Sequence, residues 1–393
     1  MKLLVVLLLT VAGLQAVAVD ADFSGEYRFR ASSESSAGGD VVDNLGTNLS
    51  SDIRAKVSGS FRPSESFEGV AGLYLDLDDY SALSDRMVAY GDWMISDEFM
   101  LRAGQSTYKI ADGSVIGIND YDAVPTLFKG LFLTHSSENV GLDVALVQNK
   151  DVSDLFIVSV DARSFPDLVK TANFHLIVKD VRGQMGIEKP LSPLAAAQQA
   201  LMASEAPAVD GAVADDSGSE GVYLGATLGG GAGGFGYKVT ASTDSLTNIL
   251  SLSSLLINGK VSYSFEMDNS TLKAFIGGHM DGSDYDALLY ERHYNAGKMD
   301  LVQWGRGLTY VYGGLAYKTS ADWKLGVKGY HFLDSNADMR PDVTQVSDGD
   351  TEVDVYVKKN FNSSVSGKVW AGVLVPKAGD TGVKAQAVVQ MKF

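Results

Sequence analysis

Apolar and polar side chains alternate one by one along most of this chain, the pattern of a β-strand whose two faces meet different surroundings. At the carboxyl end, Thr381 to Phe393 places Val383, Ala385, Ala387, Val389, Met391 and Phe393 on one face, against a mostly polar set that includes Lys384, Gln386, Gln390 and Lys392. Near the start, Asp22 to Ala31 sets Phe23, Gly25, Tyr27 and Phe29 against Ser24, Glu26, Arg28 and Arg30. Leu49 to Phe61 repeats this with Ile53, Ala55 and Val57 opposite Asp52, Arg54 and Lys56. Arg62-Pro63-Ser64-Glu65 then turns the chain, because proline cannot continue a ladder. Beyond it Phe67 to Leu77 sets Leu73, Leu75 and Leu77 against Glu68, Tyr74 and Asp76.

The same period predicts strands near 87–95, 99–106, 128–135, 139–148, 222–228, 235–241, 257–267, 272–280, 307–318 and 322–333, then a pair around 353–357 and 365–373. Segments near 154–162 and 172–180 are less distinct, since Phe156 to Val160 is apolar on both faces. The result is an all-β chain of about eighteen strands whose links alternate short and long, with 149–153 and 163–171 breaking the rule. This asymmetry predicts a transmembrane antiparallel β-barrel, with short periplasmic turns and long extracellular loops. Closure leaves no unpaired edge in lipid. A terminal strand ending on an aromatic is what the barrel assembly machinery of bacterial outer membranes recognises, so the Phe393 strand is its expected contact.

Composition agrees: 42 Gly, 17 Tyr and 16 Phe stand beside 8 Pro and no Cys, which suits many strands and tight turns and excludes disulfides and thiolate sites. Residues 1–18 read as a secretory signal peptide, with basic Lys2, an apolar run from Leu3 to Leu14 and small residues at Ala16-Val17-Ala18. A cut after Ala21 is the second choice. The barrel would then occupy 19–393, in the cell outer membrane, facing lipid and lipopolysaccharide. A long Ala-, Pro- and Asp-rich extracellular loop is expected at 181–219, with a helix near 194–206 or no fixed structure. The net charge of −17 becomes −18 without Lys2 and excludes nucleic acid as a partner.

The segment from Leu101-Arg-Ala-Gly-Gln to Phe128-Lys-Gly-Leu resembles the central segment of the alginate-export-type outer-membrane barrels, where Gly-Arg-Gln leads through a loop to Phe-Asp-Gly. Gly349-Asp-Thr-Glu352-Val-Asp354 looks like that family's Gly-x-Glu-x-Asp element, and Phe23-Ser-Gly-Glu-Tyr-Arg-Phe-Arg looks like the first strand of eighteen-stranded porins. The resemblance implies a porin-class barrel. Gln105 and Lys129 depart from the family pattern, and 32 basic against 49 acidic residues do not suit a channel dedicated to a polyanion.

With the apolar faces toward lipid, the opposite faces line a pore. The early strands contribute Arg28, Arg30, Arg54, Lys56 and Arg102, with Glu26 and Asp52 among them. Segment 107–127, carrying Asp112, Asp120 and Asp122, is the candidate constriction loop, and it sets a transverse field if it folds inward. Glu352 and Asp354 also project inward, where cross-strand pairing with Lys or Arg is the expectation. Asp334-Ser-Asn336-Ala-Asp338 opens like a calcium loop but has Met339 where Gly is needed, so no metal and no cofactor is expected. His135 and Ser136 are adjacent and therefore point to opposite faces, and no nucleophile elbow, phosphate loop or paired-His motif occurs, so no enzyme is expected. The expected activity is passive diffusion of ions and small hydrophilic solutes. A saccharide- or polymer-selective channel and a plugged structural or adhesive barrel are the alternatives. A homotrimer is an analogy from porins.

Overall fold

A computed structural model describes residues 20–35, 49–76, 86–110, 113, 115–117, 125–148, 154–163, 169–179, 221–246, 251–285, 307–334, 346–378 and 381–393. The strands are β1 (Asp20–Ser35), β2 (Leu49–Ser64), β3 (Phe67–Asp76), β4 (Met87–Met94), β5 (Phe99–Ser106), β6 (Phe128–Ser136), β7 (Val140–Gln148), β8 (Leu155–Ala162) and β9 (Thr171–Lys179). The second half has β10 (Val222–Gly230), β11 (Phe235–Thr243), β12 (Leu255–Met267), β13 (Ser270–Asp281), β14 (Thr309–Thr319), β15 (Trp323–Asp334), β16 (Thr351–Asn360), β17 (Val365–Val375) and β18 (Gly382–Lys392). Each pairs antiparallel with its neighbours in sequence, and β1 pairs with both β2 and β18. The sheet is thus a closed barrel of 18 strands, wide enough for an aqueous channel.

Alternation sorts the side chains as the sequence predicts. Leu131, Leu146, Phe174, Leu228, Ile276, Leu315 and Val369 are exposed on the outer face. Their sequence neighbours Phe132, Ala145, Val147, His175, Thr227 and Trp370 are buried on the inner one. Outward aromatics gather beside the short turns. Phe67 lies 5.9 Å from Phe61 and 4.9 Å from Trp93, Tyr263 lies 4.6 Å from Phe265, and Trp323, Phe361 and Phe393 are exposed on the same rim. Such a girdle is what a membrane interface selects.

The seam is closed by the C-terminal residue. Gly25 N–H donates to the Phe393 carbonyl at 2.7 Å and Phe393 N–H donates back at 3.0 Å. The Phe393 ring covers Gly25 where a Cβ would stand. Both indistinct segments are strands, β8 and β9. The expected helix near 194–206, the signal peptide and the calcium-like opening of 334–338 beyond Asp334 lie outside the described residues.

Candidate functional site: the inner wall

The inner wall has three sectors. Across β6 to β9 it carries an apolar patch beside the polar residues Ser159, Asn173 and His175, and the described residues of segment 107–127 fold inward onto that patch. Ile110 N–H donates to the Ile116 carbonyl at 2.9 Å, and Gly113 N–H donates to the Ile110 carbonyl at 2.9 Å. Gly113 makes that turn at φ 94, where a side chain would be strained. Ile110, Val115 and Ile116 are buried in one cluster with Phe128, Phe132, Val147, Leu155, Ile157 and Ile177. Tyr108 packs against it, 5.4 Å from the Phe132 ring, and burial raises its phenol above the ordinary tyrosine value, so it stays neutral. The inward position of this loop agrees with the sequence. Its grip is apolar, and Asp112, Asp120 and Asp122 lie outside the described residues.

The early strands form the second sector, where the predicted basic wall is partly closed on itself. Arg28 and Arg54 stand directly across β1 and β2 from each other and are buried, at 8% and 2% exposure. Arg54 Nη2 pairs with Glu26 Oε1 at 3.0 Å. Arg102 is held bidentately by Asp92, Nε to Oδ1 at 2.7 Å and Nη2 to Oδ2 at 2.8 Å, and lies 4.1 Å above the Tyr90 ring. Arg30 and Lys56 are half-buried and face inward. Asp52 is placed only by its backbone, opposite Arg30. Glu352 and Asp354 do point inward but are buried, at 0% and 3% exposure, so they are wall residues and do not meet the water of the pore. Asp354 stands directly across from Lys328 in the ladder.

A third sector, on β14 to β17, was not singled out from the sequence. Lys318 faces Lys324, Lys324 faces Lys358, and Lys358 faces Lys368 in the ladder register, so four neighbouring strands carry lysine in one row. Their chain neighbours Tyr317, Leu325, Val357 and Val369 are exposed on the outer face, so the lysines are on the inner one. Lys368 lies 5.7 Å from the Tyr356 ring centre. Like charges about 4.8 Å apart on neighbouring strands destabilise a sheet by about 0.2–1 kcal/mol per pair. Three such contacts in succession are tolerated where water solvates the heads. The row runs on through Val388 to Arg30, linking this sector to the early strands. The parity rule that placed Arg54 and Arg102 puts each of these lysines on the inner face, and the register joins them into a row. Among the described residues, no group of three or more His, Cys, Asp or Glu is arranged to hold a metal ion.

No family model matches the chain, and no curated protein matches it either. The resemblance to alginate-export-type barrels therefore gains no support from sequence comparison. Solved structures do match. OccK5 (OpdH) of Pseudomonas aeruginosa superposes with a TM-score of 0.57 at 11% identity, over 95% of this chain and 98% of that one. The outer membrane protein OprD of the same organism gives 0.58 at 10% identity, over 95% and 94%. Pseudomonas aeruginosa OpdK, solved with vanillate, gives 0.59 at 9% identity, over 95% and 98%. These likenesses show the fold, an eighteen-stranded barrel of the kind an outer-membrane protein uses.

Proposed function

We propose that this chain is an outer-membrane channel for passive diffusion of small hydrophilic solutes, and that it favours anions. The observation that carries the reading is the row Lys318, Lys324, Lys358 and Lys368 on the inner wall. Ile110, Val115 and Ile116 occupy space inside the barrel along β6 to β9, which leaves the side of that row open to water. A solute crossing there meets fixed positive charge in a confined space, where counter-ions concentrate. The whole chain is acidic, but selectivity follows the charge on the wall that a solute passes.

The neighbours support the same reading. Their barrels have this strand number, and the one solved with vanillate was solved with an aromatic carboxylate. Small carboxylates are the solute class a lysine row suits, because each ammonium donates to a carboxylate oxygen. An N-terminal signal peptide and a barrel-assembly contact through the Phe393 strand belong to this proposal, as does the possibility of a homotrimer. No catalytic step does.

Reversal potential in a planar bilayer under a KCl gradient tests it. Anion permeability exceeding that of potassium is the expected result, and replacing Lys324 and Lys358 by Gln should bring the ratio toward unity. A cation-preferring pore, or a ratio indifferent to those changes, overturns the anion reading. A silent bilayer indicates the plugged barrel.

A further inference from the structure

On the inner wall of β1 to β5 lies a recess separate from the lysine row. It is a cavity of about 310 Å³, at the lower end of the ~300–1,000 Å³ that small-molecule sites occupy. Its floor is apolar. Tyr74 and Val88 are buried there with Leu127, and Tyr90 packs against them. Hydroxyl groups line the sides: Ser24 and Ser58, whose oxygens lie 2.9 Å apart, with Ser60 and Ser106.

Two features point to a ligand. Ser106 is 3% exposed, and its Oγ has no hydrogen-bond partner among the described residues, an unfavourable state for a buried hydroxyl. Lys56 reaches over the Tyr74 ring at 5.3 Å into the same recess. Glu26, directly across from it on β1, is already paired with Arg54. Arg102 and, toward the rim, Asp22 line the recess as well; the Arg102 charge is answered by Asp92, which leaves Lys56 to meet an anion.

We propose that the recess binds one monosaccharide-sized polyhydroxylated anion. Its acid group sits on Lys56, its hydroxyls bond to Ser58, Ser60 and Ser106, and its C–H face lies on the apolar floor. A plain carboxylate would leave Ser106 without a partner, and a neutral sugar would leave the Lys56 charge unanswered. This inference rests on the channel reading, because such a solute reaches the recess only through the lumen.

Calorimetric titration of the detergent-folded full chain tests the recess independently of conduction. Glucuronate should bind saturably, with glucose and acetate each weaker by about tenfold or more. Lys56→Gln should reduce glucuronate to the level of glucose, and Ser106→Ala should weaken glucuronate and glucose alike. Lys324→Gln, in the other sector, should leave the glucuronate affinity where it is. Equal binding of glucuronate and acetate, no saturable glucuronate binding by the folded chain, or an unchanged affinity in Lys56→Gln would overturn the proposal. If Ser106→Ala does not fold, Ser58→Ala takes its place. Intact binding with no anion preference in the bilayer defeats the channel reading alone, and the reverse result defeats the recess alone.

Discussion

Across β6 to β9 the apolar inward side chains Phe128, Phe132, Ala145, Val147, Leu155, Ile157 and Ile177 are exposed by no more than 6%, beside a small polar group of Ser159, Asn173 and His175. Across β14 to β17 the inward row is Lys318, Lys324, Lys358 and Lys368. Both walls belong to one closed sheet, and both turn apolar residues outward, so the difference lies only on the inside. An apolar patch on the inner wall of a wet barrel must be covered, and Ile110, Val115 and Ile116 do so. A lysine row must stay wet, since an uncompensated buried ammonium is costly. Covering one wall therefore decides where the water runs.

The largest expected effect comes from uncovering the apolar wall. Ile116 is 0% exposed, and Ile116→Asp would bury a carboxylate among apolar side chains at a cost on the order of 3 kcal/mol or more. The loop should lift, and single-channel conductance should rise several-fold while the folded barrel still migrates as the heat-modifiable form on gels. Unchanged conductance would mean that the loop does not narrow the path. Ile116→Ala keeps the loop in place but leaves a void, and should lower the thermal midpoint through a loss of about 2–4 kcal/mol.

The next effect sharpens the other wall. The Tyr356 ring covers Gly326 on β15, where an added Cβ would overlap it. Gly326→Ala should displace that ring and with it the Lys368 head, costing about 1–3 kcal/mol and changing conductance without changing its sign of selectivity. Smallest is Asp92→Asn, which weakens the bidentate hold on Arg102. Anion preference should rise modestly in the reversal potential, because one inward charge is no longer answered.

The period-two pattern made the strand number and the faces legible, because alternation reports the two environments directly. It failed at Phe156 to Val160, apolar on both faces, and the fold explains why: Leu155 and Ile157 face inward under the loop, while Phe156 and Val158 face outward. Sequence reasoning gave the loop's role to its aspartates, whereas the described contacts are made by Ile110, Val115 and Ile116. Arg54 and Arg102 were placed on the correct face, but their partners Glu26 and Asp92 are set by register, which parity alone does not reveal. The lysine row needed both parity and register across four strands. Lys318 and Lys368 are far apart in sequence and become members of one row only when each ladder is aligned.

The chain has no native cysteine, so single cysteines report their surroundings without background. The most direct test introduces them one at a time along β15, at Lys324→Cys, Leu325→Cys, Val327→Cys and Lys328→Cys. Each is treated in the bilayer with a membrane-impermeant, negatively charged thiol reagent while current is recorded. Current should fall for Lys324→Cys and Lys328→Cys and stay constant for Leu325→Cys and Val327→Cys. Reaction at Leu325→Cys and Val327→Cys, with the two lysine positions protected, would place the lysines away from the water and contradict the account.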